Sequence, residues 1–128
     1  MKRLRSIRLR GEVFQQIADG WQTQLRFPTD GERPWDVAAD GGRFQVSARI
    51  SRETHRMVLR VVSLRTERLQ DISDTDIRSS GVDYNSTLFP RDEFASAWDR
   101  SLPASKRYHA IWDENPLVTV VAFEKDGE

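Results

Sequence analysis

The chain has 128 residues and a mass of 14.8 kDa, too short for two ordinary cores, so residues 1–128 are expected to form a single domain. Hydrophobic residues make up 38% and charged residues 31%, and 20 Lys and Arg balance 20 Asp and Glu, which argues against a polycation that coats nucleic acid by charge alone. No run approaches the roughly 18 apolar residues of a membrane helix, no apolar stretch follows the basic opening as in a signal peptide, and the absence of Cys excludes disulfides, thiolate zinc sites and a Cys nucleophile.

In chain order, Ile7-Arg8-Leu9-Arg10 alternates apolar and basic and predicts a strand with Arg8 and Arg10 on its outer side. Residues 12–19 predict a short helix whose Val13, Phe14 and Ile17 share a face, closed by Gly20 in the helix-ending position. Trp21 extends that stripe, which favours a core role over stacking on a base. A second strand is expected over 22–27, stopped by Pro28, and the turn formers of 29–34 predict a loop followed by Trp35 as an exposed aromatic. Asp40-Gly41-Gly42 signals a turn before a third strand over 43–48.

The longest strand signal covers 56–69. Met57, Leu59 and Val61 hold one parity there, and Val62, Leu64 and Thr66 the other. Either both faces are covered, or a bulge near Val62-Ser63 switches the face. Ser73-Asp74-Thr75-Asp76 has the form of a capping box and opens a helix of about two turns that Gly81 ends. Residues 83–89 form a polar loop. Pro90 opens a third helix, with Asp92 and Glu93 in its first turn and Phe94, Ala97 and Trp98 along one face. After an irregular stretch, 117–123 is a nearly all-apolar run, expected as a central strand buried on both faces. This order does not alternate as in a doubly wound sheet. It predicts an α+β fold, a small curved or closed mixed β-sheet with short helices at its rim.

The familiar catalytic signatures are missing: there is no Gly-rich phosphate loop, His-Glu-x-x-His or Gly-x-Ser-x-Gly. His55 and His109 read as surface or packing residues, Asp74, Asp76, Asp92 and Glu93 as helix-start residues, and neither a metal nor a cofactor is expected. The net charge of zero is a cancellation. Residues 1–68 hold 14 Lys and Arg against 8 Asp and Glu, and residues 69–128 hold 6 against 12, giving +6 and −6. Seventeen of the 20 basic residues are Arg, which suits bidentate phosphate contact and stacking on bases and is equally expected of solvated surface strands.

Residues 6–26, from Ser6-Ile7-Arg8-Leu9-Arg10 through Asp19-Gly20-Trp21-Gln22-Thr23-Gln24-Leu25-Arg26, resemble the opening of phage and prophage proteins with an ASCH domain. A second block, with Glu67-Arg68-Leu69-Gln70-Asp71-Ile72-Ser73 and then Gly81-Val82, and a third, with 94–99 and Trp112-Asp113-Glu114-Asn115-Pro116-Leu117-Val118, follow in the family's order. Residues 28–55 are not covered. The resemblance implies a PUA-like β-barrel with a cleft between barrel and helices that binds RNA or modified nucleosides. Some relatives remove the acetyl group of N4-acetylcytidine with a Lys, a Thr nucleophile and a Glu acid. Those positions fall on Gln22, Leu25 and Ser80, and Leu25 offers no nucleophile.

The resemblance therefore implies a binding cleft without amidohydrolase chemistry, built from Glu12, Gln22, Arg26 and Ser80. The cations spread over strands of one small sheet make Arg8, Arg10, Arg60 and Arg65 the expected nucleic-acid contacts. Ser80 is either a polar contact or a helix terminator. Three readings stay open. The first is a cytoplasmic RNA- or nucleotide-binding module. The second is a hydrolase or ribonuclease using Arg26 with Ser80 or Tyr84 in the same cleft. The third is a phage-encoded protein-interaction domain presenting its acidic C-terminal half to a protein partner.

Overall fold

The computed structural model describes residues 6–29, 42–103 and 110–126. The expected loop at 30–34, Trp35 and His109 lie outside the described residues. Among the described residues five strands, β1 (Ser6–Arg8), β2 (Gln24–Pro28), β3 (Arg43–Ile50), β4 (Glu53–Arg68) and β5 (Leu117–Lys125), form one sheet in the order β1-β3-β4-β5-β2. β1 runs parallel to β3 and the other pairs are antiparallel. Among the described residues three α-helices, α1 (Gly11–Ala18), α2 (Asp74–Ser79) and α3 (Pro90–Ser101), attach to this sheet. The α+β class is as expected. Among the described residues the sheet is a half-barrel whose free edges are β1 and β2, not a closed barrel.

The curl originates in β4. Val61 pairs with Phe123 and Ser63 with Ala122, so Val62 is an extra residue in the ladder and is 53% exposed. This is the bulge alternative, and it lets Leu59, Val61 and Leu64 face one core despite their unequal spacing. That core fills the inside of the curl with Phe44, Val46, Leu59, Val61, Val121 and Phe123, closed by Phe14 and Ile17 of α1. Val118 and Val120 project from the other face of β5 into a second core with Leu69, Ile72, Ile77, Phe94 and Trp98. β5 is thus buried on both sides, as its apolar run predicts. Each fully buried side chain of this size contributes about 1.5–3 kcal/mol.

The helix ends follow from local chemistry. At the end of α1 the Trp21 N–H donates to the Gln16 carbonyl at 2.9 Å and the Gly20 N–H to the Ile17 carbonyl at 3.1 Å, with Gly20 at φ 86°. This is a Schellman ending, which needs a left-handed residue. It turns the chain out of the helix, so Trp21 is 56% exposed instead of continuing the apolar stripe into the core. α2 opens with the Asp76 N–H donating to Ser73 Oγ at 3.1 Å and closes in the same way at Gly81, φ 97°. β1 stops at Arg8 because Arg10 is already the residue that caps α1. The ladder of β2 starts at Gln24, with Gln22 making a separate bridge to Ser80.

A buried guanidinium at a half-barrel cavity

Register alone places the polar side chains of the site. On β2, Gln24 lies opposite Ala122 and Arg26 opposite Val120; on β4, Arg65 also lies opposite Val120. Directly opposed residues share a face, so Arg26 and Arg65 flank Val120 in one row, with Glu67 two residues beyond. α2 is tied to the start of β2 by the Thr23 N–H donating to the Ser79 carbonyl at 2.8 Å and by the Gln22–Ser80 bridge. Asp76 and Ser80, one helical turn apart, are thereby set over the row.

The result is a closed network around Arg26, whose side chain is 1% exposed. Its Nη1 donates to Ser80 Oγ at 2.8 Å and to Gln24 Oε1 at 2.9 Å, while its Nη2 faces Glu67 Oε2 at 3.2 Å and Asp76 Oδ2 at 3.4 Å. Arg65 donates from Nε to Glu67 Oε1 at 3.2 Å and also binds Asp76. Gln24 Nε2 donates to Asp76 Oδ1 at 3.0 Å. The Phe94 ring lies 6.0 Å from the Arg26 guanidinium. Two cations and two carboxylates cancel, so this wall of the site is polar but neutral.

Burial pulls the Arg26 pKa down, opposed by its hydrogen bond to Glu67 and by the charges of Glu67 and Asp76. For Asp76, partial burial acts upward, but hydrogen bonds from Gln24 and Arg65 and the charges of Arg65 and Arg26 outweigh it and hold its carboxyl below the usual value. For Arg65, burial acts downward and is outweighed by hydrogen bonds and attraction to Glu67 and Asp76, leaving it raised.

Beside this network a cavity of about 1000 Å³ runs between the two free edges of the half-barrel. β1, α1 and the link between them contribute Arg8, Arg10, Glu12 and Gln16, β2 contributes Gln24 to Pro28, and the α2 end and α3 contribute Ser80, Gly81, Phe94 and Trp98. Among the described residues, two buried polar atoms of the lining have no hydrogen-bond partner, Gln22 Oε1 and Arg26 Nε. Leaving such an atom unpaired costs about 1–3 kcal/mol. A Cβ placed on Gly81 would come within 2.8 Å of Gln22 Oε1 and 2.5 Å of Gln16 Oε1, so only glycine leaves room for both amide oxygens where they stand.

The structure brings Glu12, Gln22, Arg26 and Ser80 to this one cavity, with Arg8 and Arg10 also in its lining. Leu25 packs against the inner core and forms part of the cavity wall, whereas Trp21 stays out of the lining. Two expected nucleic-acid contacts sit elsewhere. Arg60 is paired with Glu124 and Asp126, and Arg65 belongs to the network above. Their charge is already spent on carboxylates. Tyr84 donates its hydroxyl to the Asp74 carbonyl at 3.0 Å, packs under Arg78 and is absent from the lining. Asp76 is more than a helix-start residue: its N–H completes the cap while its carboxylate binds Gln24, Arg26 and Arg65. The capping pattern signals only the first role. The parity of 22, 24 and 26 on one strand was the available signal for Gln24. Among the described residues no group of His, Asp and Glu could hold a metal ion, and no helix is long and apolar enough to cross a membrane.

No family model matches the chain and no curated protein sequence matches it. Solved structures do. A DUF984 protein from Enterococcus faecalis V583 superposes with a TM-score of 0.66 at 12% identity, over 98% of this chain and 82% of that one. An ASCH domain from Lactobacillus crispatus gives 0.60 at 12% identity over 88% and 69%, and an ASCH protein variant from Zymomonas mobilis 0.59 at 10% over 94% and 68%. The chain therefore has the ASCH fold, a PUA-like α+β half-barrel with short helices.

Proposed function

We propose that this chain is an RNA- or nucleotide-binding module whose cavity takes an unstacked base, without amidohydrolase activity. The observation that carries this reading is the sorting of polarity within one cavity. Inside, the hydrogen-bonding groups are amides, a hydroxyl and a guanidinium already neutralised by Glu67 and Asp76, next to the buried rings of Phe94 and Trp98. Such a lining suits a flat, neutral, polar heterocycle, and a volume of about 1000 Å³ lies at the upper end of the range for small-molecule sites. At the rim, Arg8, Arg10 and Arg100 are exposed, with Arg10 3.8 Å from Glu12. The lining also carries the carboxylates of Glu12, Asp83 and Glu93, and of Arg8 and Arg10 it is Arg8 that is left outside any ion pair among the described residues. Cations there suit a phosphate left outside while the base is inside.

Loss of the amidohydrolase reaction follows from residue chemistry. Leu25 has no nucleophile, Gln22 neither takes a proton nor carries charge, and the Ser80 hydroxyl accepts from Arg26 instead of facing a base. Calorimetric titration with the four 5′-mononucleotides and their nucleosides at low salt tests the reading. Binding of at least one pair, tighter for the nucleotide and weakened by Gln22→Ala and Ser80→Ala, is the expected result. No heat with any of the eight compounds would overturn it, as would turnover of N4-acetylcytidine.

A further inference from the structure

The pairing of β1, β3 and β4 builds a second feature, away from the cavity floor. Arg8 lies opposite Ser47, and Ser47 opposite Arg56. All three project to one face, with Arg8 and Arg56 roughly 10 Å apart across two inter-strand spacings. Arg49, opposite Thr54, lies on the same face two residues beyond Ser47, about 7 Å further along. Arg52 stands at the hairpin tip between β3 and β4. All four are exposed, and among the described residues none of them is in an ion pair. At the other end of the same face Arg43 and Arg60 are neutralised by Asp126 and Glu124. The free positive charge is thus confined to the end that meets the cavity rim.

The hairpin tip carries an independent oddity. Ser51 and Arg52 have φ of 52° and 70°, and Ile50 pairs with Glu53 around them. A two-residue turn of this hand favours Asn-Gly, and a side chain there costs on the order of 1 kcal/mol per residue. An arginine occupies a position where glycine would be easier, in line with the other unpaired guanidinia.

We infer that this face is a track for the sugar-phosphate backbone of a single-stranded nucleic acid whose base enters the cavity. The inference rests on the base-binding reading, because Arg8 belongs to both the cavity lining and the row. Phosphates and sugars are contacted by Arg together with neutral donors, and Gln45, Ser47 and Thr54 lie between the guanidinia on this face. A strand leaving the cavity past Arg8 meets Arg56 and Arg49 next.

The test uses Arg49→Ala/Arg56→Ala, which leaves the cavity lining untouched. Anisotropy of a fluorescein-labelled single-stranded RNA of about twelve nucleotides is followed against salt. Two lost phosphate contacts make the slope of log K against log salt shallower by about 1.4, and Arg49→Lys/Arg56→Lys restores most of it. Mononucleotide affinity stays as in the parent chain. An unchanged slope with mononucleotide binding intact overturns the track and leaves the cavity reading standing. A shallower slope without any mononucleotide binding overturns the cavity reading and leaves the phosphate-binding face. Poly-L-glutamate displacing the RNA as well as unlabelled RNA of equal charge would make the partner an acidic protein and overturn the assignment to nucleic acid.

Discussion

The guanidinium of Arg26 on β2 lies 3.4 Å from the carboxylate of Asp76 on α2, 50 positions away in sequence, and the same carboxylate binds Arg65 of β4. One acidic side chain thereby links the edge strand, a more central strand and the helix at the rim. This contact makes the cavity wall neutral and holds Ser80 and Gln24 against it.

Arg26→Met should lower stability by about 3–5 kcal/mol, because Glu67 and Asp76 lose their buried partner and keep Arg65 as the one cation between them. Urea denaturation checks this. Adding Glu67→Gln and Asp76→Asn should recover part of the loss, since the excess negative charge is removed and the half-exposed Arg65 that loses its partners can be hydrated. A triple variant no more stable than Arg26→Met would show that packing, not charge, sets the cost.

The acid limb of stability should carry Asp76. Its carboxyl is held below the ordinary value in the folded chain, so its contribution is present above the unfolded carboxylate pKa and is lost as pH falls through the folded one. That window opens at about pH 4 and extends below it. Asp76→Asn should be less stable near neutrality and flatter in its acid dependence. Parallel acid limbs for the two proteins would contradict the assignment.

Gly20 and Gly81 both hold left-handed backbone, and alanine at either should cost on the order of 1–2 kcal/mol. They differ in surroundings: among the described residues nothing lies within 4 Å of a Cβ on Gly20, whereas one on Gly81 meets Gln16 and Gln22. Gly81→Ala should therefore also weaken mononucleotide binding by displacing the Gln22 amide. Gly20→Ala should leave it unchanged. Thermal melts and calorimetry on the same samples separate the two effects.

Ser51→Asn/Arg52→Gly should raise stability by about 1 kcal/mol by relieving the hairpin turn. The same change should weaken binding of the fluorescein-labelled RNA by removing one cation from the track, a trade of function for stability. Thermal melts and salt titrations of the double variant measure both. A gain in stability with RNA affinity unaltered would separate the strained turn from recognition.

Most of the elements were legible from local rules. Gly20 and Gly81 ended the helices they followed, Ser73 capped α2, and the parity change at Val62 marked the bulge, because each depends on the conformational limits of a few neighbouring residues. Trp21 misled for the same reason: its helical spacing from Ile17 is real, but one left-handed glycine between them removes it from the helix. Glu12, Gln22, Arg26 and Ser80 were brought to one cavity through a resemblance in order and residue type, not through periodicity.

Whether a charge is free or spent was decided only by the tertiary structure. Arg8, Arg49, Arg56, Arg60 and Arg65 are alike as sequence: exposed cations on strands. Register then places Arg60 beside Glu124 and Asp126, sets Arg65 between Glu67 and Asp76, and leaves Arg8, Arg49 and Arg56 unpaired among the described residues. The sequence by itself determined the number of charges, the turns and the apolar faces, which are properties of single residues and near neighbours. Neutrality of the cavity wall and the end of the sheet that keeps free cations depend on which distant strands meet, because Coulomb energy falls with distance and rises as water is removed.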